Sequence, residues 1–293
     1  TFRIRDGFDP RFVNYRLSSE PLRQRFDSIS FGAVPRRRRA ATDKFLELEF
    51  GAVPSITEQL RISKILDKAS FLADKRRETL FKLDQLLQSV FIEMFGDPVS
   101  NPKLWPIGKL EDLGALDRGV SKHRPRNATM LLGGKHPLIQ TGDVARSGGY
   151  IRSFSSTYSD TGLAQSKKWP AGTLCITIAA NIADTGILTF DACFPDSVVG
   201  FTANEKSNVE FVQALMGFLR LIIEEKAPQV AQKNINLAIL RNLPIPIPPT
   251  NLQQSWAEFA GRIEKLKLEL IVAQRGSDQL MSSVQKCAFD GTL

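Results

Sequence analysis

Two stretches of this chain carry apolar or small residues at alternating steps of three and four. The first runs from Ser55 to Phe95, through Ile62, Ile65, Ala69, Leu72, Thr79, Leu83, Leu86 and Val90. Only Arg76 and Glu93 occupy that rhythm without being apolar or small. The second runs from about Leu252 to Phe289, through Trp256, Phe259, Ile263, Leu266, Leu270, Ala273, Ser277, Leu280, Val284 and Cys287. A mean step of about 3.5 residues keeps one stripe turned toward a partner helix. Each stretch therefore predicts a long helix, the first about 60 Å at about 1.5 Å per residue. A core helix of an all-α domain is one explanation. The recurrence of the pattern favours a spacer, with the two helices pairing antiparallel.

The starts of both stretches are marked alike. Ser55 with Glu58 follows Pro54, and Thr250 with Gln253 follows Pro249, each pair a capping box. Gly96, Asp97 and Pro98 end the first stretch. The likeness extends outward as an internal repeat. Arg11-Phe12-Val13 matches Glu210-Phe211-Val212, Pro54 matches Pro249, and Gln59 matches Gln254. Asp84-Gln85-Leu86-Leu87 matches Asp278-Gln279-Leu280-Met281, Ser89-Val90 matches Ser283-Val284, and Phe95 matches Phe289. The repeated unit is a globular body followed by a long helix, present once in full and once as its last part.

Between the helices the character changes. Asp97 to Pro106 is rich in Pro and polar residues and marks a boundary. Short β-rich runs follow at Pro137–Gln140, Gly149–Phe154, Thr173–Ile178, Gly186–Phe190 and Ser197–Phe201, separated by turn residues. Glu210 to Glu225 reads as a buried or half-buried helix, Ala227 to Leu243 as loop and turn, and Pro244 to Pro249 as an extended strand entering the last helix. The fold class is α+β: a globular domain on a twisted antiparallel or mixed β-sheet, plus two long helices pairing as an antiparallel coiled coil. Ahead of the first long helix, Phe8 to Phe26 is helix-like and Lys44 to Phe50 alternates like a half-buried strand. The run Arg36-Arg37-Arg38-Arg39 suits a phosphate contact or a solvated loop equally. The chain opens on Thr1 rather than Met, and the expectation is that its N-terminus lies upstream.

The chain's net charge of +8 favours an anionic partner. Nucleic acid comes before membrane, because no stretch has the roughly 18 apolar residues that a span requires. Cys175, Cys193 and Cys287 are odd in number and scattered, which suits a reducing cytosol and gives no CxxC metal site. There is no Walker loop and no Gly-rich dinucleotide turn. With His123 and His136 alone, a His-based triad or metal site is not expected, and no cofactor is expected on this chain.

Recognition chemistry concentrates in Arg118 to Asn127. Lys122, His123, Arg124, Arg126 and Asn127 fall there in a loop shaped by Gly119 and Pro125. Arg and Lys read guanine edges, Asn and Gln read adenine edges, and all bind phosphate. A second set is Gln140, Thr141, Asp143 and Arg146; a third is Lys167 and Lys168 beside Gln165 and Ser166, with Tyr158 ahead of them; a fourth is Asn181. A solvated loop is the alternative for each.

Several of these segments together resemble the specificity subunit of type I restriction-modification systems. Glu58-Gln59, then Ile62, Ile65, Leu66 and Asp67, then Lys75-Arg76-Arg77, Leu83-Asp84, Leu86-Leu87-Gln88-Ser89 and Phe95-Gly96-Asp97, look like that family's spacer helix. Trp105-Pro106 with Leu110 and Leu113-Gly114 looks like the start of a target recognition domain. Pro137-Leu138-Ile139 with Gly142-Asp143-Val144 resembles a strand motif of that domain, and Ile235-Asn236 with Leu243 to Pro249 its exit. The second helix, with Arg275-Gly276-Ser277, matches less closely.

The resemblance implies a subunit that reads half of a bipartite DNA site, without catalysis of its own. It also implies docking to methyltransferase subunits, which hold S-adenosylmethionine, and partnership with restriction subunits that use ATP. Residues 1–54 are then the C-terminal remnant of a first recognition domain, 55–97 the first spacer helix, 98–249 the target recognition domain and 250–293 the second spacer helix. A homodimer through the long helices is a further arrangement, no membrane contact is expected, and the compartment implied is cytoplasmic. The competing reading is a DNA-acting enzyme, a nuclease or methyltransferase with a helical dimerisation arm.

Overall fold

The computed structural model describes residues 3–32, 39–51, 53–179, 182–225 and 235–290. The chain divides into two compact units, Thr1–Gln85 with Glu264–Leu293, and Leu86–Ile263. The elements before the long helix are α1 (Pro10–Leu17), α2 (Glu20–Ile29), β1 (Ser30–Phe31), β2 (Arg39–Ala40) and α3 (Thr42–Leu46). The long helix α4 is Ile56–Phe95. Then come β3 (Ile107–Lys109), β4 (Gly114–Arg118), β5 (Leu132–Leu138), α5 (Thr141–Ala145), β6 (Gly149–Ile151), β7 (Ser156–Tyr158) and α6 (Asp160–Ala164). They are followed by β8 (Lys168–Trp169), β9 (Leu174–Thr177), β10 (Thr185–Leu188), β11 (Ala192–Cys193) and β12 (Val198–Ala203). The last elements are α7 (Val209–Glu225), α8 (Leu237–Arg241), β13 (Pro244–Pro246) and α9 (Thr250–Asp290).

The second unit holds the larger core. One sheet of five strands runs β4-β12-β9-β10-β6, and one of four runs β7-β5-β11-β8. Both are mixed, because β10 pairs with β6 and β11 with β5 in parallel while the other pairings are antiparallel. β13 returns to pair with β3, so Pro244 is a strand residue at a two-stranded edge, where its missing N–H costs little. Helix α7 lays Phe211, Val212, Leu215, Met216 and Leu219 into a core shared with Leu174, Ile176, Ile187 and Phe201 of the sheet. The end of α4 and the start of α9 close that core through aromatic rings. Phe91 meets Trp256 edge-on at 5.2 Å and stacks near Phe211 at 5.8 Å. Trp169 stacks on Phe194 at 4.9 Å, and a Cβ at Gly200 would come within 2.8 Å of the Trp169 ring. Glycine is what permits that approach.

In the first unit, Asp9 caps α1 by accepting the Arg11 N–H at 2.7 Å. The expected helix over Phe8 to Phe26 is broken at Ser18 and Ser19 into α1 and α2, with Pro21 in the first turn of the second. The expected strand over Lys44 to Phe50 begins instead as helix α3. Its apolar residues serve side-chain packing rather than a ladder: Phe45 stacks on Phe26 at 5.1 Å, and Lys44 pairs with Glu47 at i,i+3. Strand pairing falls just ahead of it, between β1 and β2. In the second unit, the expected loop from Ala227 to Leu243 contains α8, whose start Asn236 caps by accepting the Ile239 N–H at 2.9 Å. Arg36 to Arg38 lie outside the described residues.

The long helices do pair antiparallel in the first unit. Lys267 reaches Asp84 at 2.7 Å, the Arg76 guanidinium donates to Ser277 Oγ, and Met281 and Val284 pack against Phe12, Ile62 and Leu66. The facing stripe differs from the expected one. Leu72, Thr79 and Leu86 are exposed, and Leu66, Ala73, Leu80 and Leu87 take the inward positions. On α9, Leu266 and Leu280 are exposed while Lys267, Gln274 and Met281 turn inward. Lys267 tolerates this because Asp84 and Glu264 both lie within ion-pair reach of it.

The expected capping boxes are not completed. Glu58 N–H reaches Ser55 Oγ at 3.4 Å, but the Glu58 carboxylate binds Arg61 instead. Gln253 serves another purpose, described below. Among the described residues, no helix is long and apolar enough to cross a membrane.

Candidate nucleic-acid interface

The loop after β4 is held to the segment before β8 by backbone pairing. Ser121 and Ser166 form an antiparallel bridge, and Ser166 Oγ donates to Val120 O at 2.7 Å. Lys122 N–H reaches Gln165 O at 3.4 Å, and His123 N–H donates to Gln165 Oε1 at 2.9 Å. A third segment joins from the other side: Gly119 N–H donates to Val198 O at 2.9 Å and Val120 N–H to Phe194 O at 3.1 Å. Gly119 is required there, since a Cβ would lie 2.3 Å from Phe194 O. The first and third basic sets, distant in sequence, thus share one face.

The charges on that face are partly balanced. Arg124 and Arg126 both address Asp196, Arg124 at 3.7 Å. Arg124 also folds back, donating from Nη1 to Ser121 O at 2.7 Å and His123 O at 2.9 Å. Lys167 lies 3.9 Å from Asp117 and 3.7 Å from the centroid of the Trp169 ring. Lys168 lies 3.9 Å from Asp191. Lys122 and Asn127 are exposed. Among the described residues no carboxylate stands within ion-pair distance of Lys122 or Arg118, so positive charge is in surplus. Exposed ion pairs of this kind are worth about 0–1 kcal/mol, so a phosphate can displace them cheaply. Asp196 thereby holds the two guanidinium groups together.

The remaining expected residues divide. Gln140 is exposed at the end of β5 and donates from Nε2 to Ser156 Oγ at 3.3 Å; Thr141 is half-buried and Arg146 exposed. Asp143 is corrected from contact residue to structural cap. It is buried, and its carboxylate accepts from the Gln140 N–H at 2.9 Å, the Ser155 hydroxyl at 3.1 Å and the Arg146 guanidinium at 3.2 Å. Tyr158 is corrected likewise. It is 2% exposed inside the cluster of Leu131, Leu138 and Cys193, because its strand position faces inward. Asn181 lies outside the described residues. His136 is nearly buried, with Nε2 2.8 Å from Asp160 Oδ1. That hydrogen bond and nearby Lys135 hold the Asp160 carboxyl below its usual range. Sequence reasoning missed Asp196, the anchor of two arginines. No local pattern could have found a partner 70 residues from Arg126.

Comparison with known proteins gives the context. Residues 102–275 match the family model described as the type I restriction modification DNA specificity domain. One similar solved structure is titled for complex assembly and conformational transition of the type I R-M system; identity is 15%, 99% of this chain and 73% of that one are covered, and the TM-score is 0.61. Another is the type I restriction-modification S subunit from M. genitalium, at 13% identity, with 97% and 73% covered and a TM-score of 0.63. At such identities these two likenesses speak to the fold, while the family match reaches from Pro102 in the linker before β3, across both sheets and into α9. The chain belongs to the type I restriction-modification DNA specificity family, whose members recognise DNA without catalysis of their own.

Proposed function

We propose that this chain reads one half of a bipartite duplex site with the face built from residues 118–127, 165–168 and 195–196. The observation that carries this is the Ser121–Ser166 bridge, which gathers Lys122, Arg124, Arg126, Lys167 and Lys168 onto one surface. Phosphate contacts from the lysines would fix register, and Arg124, Arg126 and Asn127 would reach base edges. In this reading residues 98–249 are the recognition domain, and 55–97 and 250–293 are spacers. Residues 1–54 are the end of a first recognition domain.

The same reading assigns methyltransferase subunits to the long helices, with restriction subunits completing the assembly in the cytoplasm. A homodimer through these helices is the other arrangement that their pattern allows. The outward side of α4 suits a protein partner. Phe71 and Phe81 are 60% and 62% exposed, beside the charged run Lys75, Glu78 and Lys82. The hydrogen bonds from Lys75 and Lys82 hold the Glu78 carboxyl down at about 2, so this patch stays ionised at any physiological pH. Arg76 faces Ser277, and Arg77 is the exposed neighbour. Charge reversal at Arg77 together with Phe81→Ala should weaken copurification with the methyltransferase, measured by gel filtration. Unchanged complex formation would count against docking here.

A further inference from the structure

Two buried glutamines make the same set of bonds in the two units. Gln59 is 1% exposed and Gln253 0%. Gln59 Oε1 accepts the Asp9 N–H at 2.9 Å, while its Nε2 donates to Pro54 O at 2.9 Å and Gly7 O at 3.2 Å. Gln253 Oε1 accepts the Asn208 N–H at 3.1 Å, while its Nε2 donates to Pro248 O at 2.8 Å and Lys206 O at 3.2 Å. Each amide thus bridges two strands of chain: the turn that starts α1 or α7, and the proline segment that starts α4 or α9. The sequence match of Gln59 with Gln254 is therefore one residue off; Gln253 is the equivalent.

The chemistry is demanding. One acceptor and two donors are all used, in a position closed to water. Glutamate has the acceptor but no donors at neutral pH, and asparagine is one methylene too short. A buried polar residue that merely filled space would be replaceable by an apolar one. Here the same three-way bonding recurs although the bonded neighbours differ, Gly7 against Lys206 and Asp9 against Asn208. Gln59 is not the side-chain cap of α4, since Ser55 Oγ receives the Glu58 N–H.

We propose that Gln59 and Gln253 are positioning residues for DNA recognition. Each pins the first turn of a long helix to the body that precedes it. Each thereby fixes the direction in which the helix leaves its own body and, where a second recognition domain completes the bipartite site, the gap between the two half-sites. This rests on the reading of the long helices as spacers, and the experiment separates the two.

The test uses the complete assembly with its methyltransferase, in which two recognition domains are present. A duplex pool randomised in both sequence and gap length is bound and sequenced for wild type, Gln59→Met and Gln253→Met. Methionine keeps the volume and removes the bonds. The expected result is the same bases in each half-site, with the preference for one gap over its neighbours reduced at least threefold. A merely structural role would lower affinity for every duplex and the melting temperature alike, without changing the gap distribution. Wild-type gap preference retained in both variants overturns the proposal alone. Wild type showing no gap preference overturns the spacer reading and the proposal with it. The two sites lie in different units, so if one variant does not fold, the other decides by the same criteria.

Discussion

The two glutamine clamps are nearly superimposable in their bonding, yet they sit in bodies of very different depth. In the second unit, the helix tied by Gln253 is sunk into a core with Phe211, Leu215, Met216 and Leu219, closed by Phe91, Phe95 and Trp256. In the first unit, the helix tied by Gln59 fully buries only Phe12, which joins Ile62 and Leu66 in a small cluster. Beside α1 lies an apolar cavity of about 540 Å³, lined by Phe8, Val13, Leu17, Leu22, Phe45 and Leu46 among others. The difference teaches that the clamp is a local device. A proline, a cap residue and a glutamine build it, and the depth of the surrounding core is set separately. Stability and geometry therefore have different owners in this molecule.

The largest expected effect follows from core depth. Trp256→Ala should cost about 3–5 kcal/mol of second-unit stability, as large-to-small changes at well-packed aromatic sites do. Phe12→Ala should cost less than that, because the cluster it fills with Ile62 and Leu66 is small. Denaturant unfolding followed by hydrogen exchange in each unit measures both. Equal losses would break the comparison.

The next effect concerns the inward stripe of α4. Ala73 is 6% exposed and its neighbour Leu72 is 50% exposed. Ala73→Asp should cost about 3 kcal/mol by burying an unpaired charge, and Leu72→Asp less than about 0.5 kcal/mol. Thermal melts of the two variants decide, and the reverse order would restore the stripe read from the sequence.

That stripe shows what was legible. The long helices, their antiparallel pairing, the mixed sheets and most β runs follow from periodicity and turn residues. The phase of the helices does not. Ile62, Ala69, Arg76 and Leu83 belong to both possible stripes, and the alternatives differ by one residue at Ile65 or Leu66, Leu72 or Ala73, Thr79 or Leu80, and Leu86 or Leu87. Apolar residues occupy both choices at all of these but Thr79 or Leu80, so the partner helix makes the selection. On α9 the stripe runs against hydropathy, because Lys267 finds Asp84 across the seam, a pairing between positions distant in sequence. At the candidate interface, the basic residues were legible by type. Their assembly was not, since it depends on the Ser121–Ser166 bridge and on Asp196. Tyr158 and Asp143 were misread because residue type says nothing of which side a short element turns inward.

A smaller effect separates the clamps by pH. Burial disfavours the Asp9 carboxylate, but the hydrogen bonds and charge of Arg11 together outweigh it and hold its pKa below the usual value. A carboxyl depressed on folding contributes stability above its unfolded pKa, and that contribution is lost as pH falls through the folded value, below about pH 4. Asn208 occupies the matching place in the second unit and does not titrate. Protection in hydrogen exchange at the start of α1 should therefore fall from pH 5 to pH 3 more than at the start of α7, and Asp9→Asn should flatten that difference. No change with Asp9→Asn would assign the acid sensitivity elsewhere.

At the interface, Lys122→Ala should weaken binding to all duplexes alike and lower the slope of log affinity against log salt by about one. An effect confined to one sequence would make Lys122 a base reader instead.

The most direct test of DNA readout is selection from a randomised duplex pool, with affinity followed by fluorescence anisotropy across a salt series. Wild type should enrich a short fixed run of base pairs. Arg124→Ala and Asn127→Ala should each cost about 1–3 kcal/mol on that run and relax the preference at one or two base pairs, with salt dependence retained. If both variants keep the wild-type affinity and select the same sequence, the face built on the Ser121–Ser166 bridge is not the surface that reads DNA.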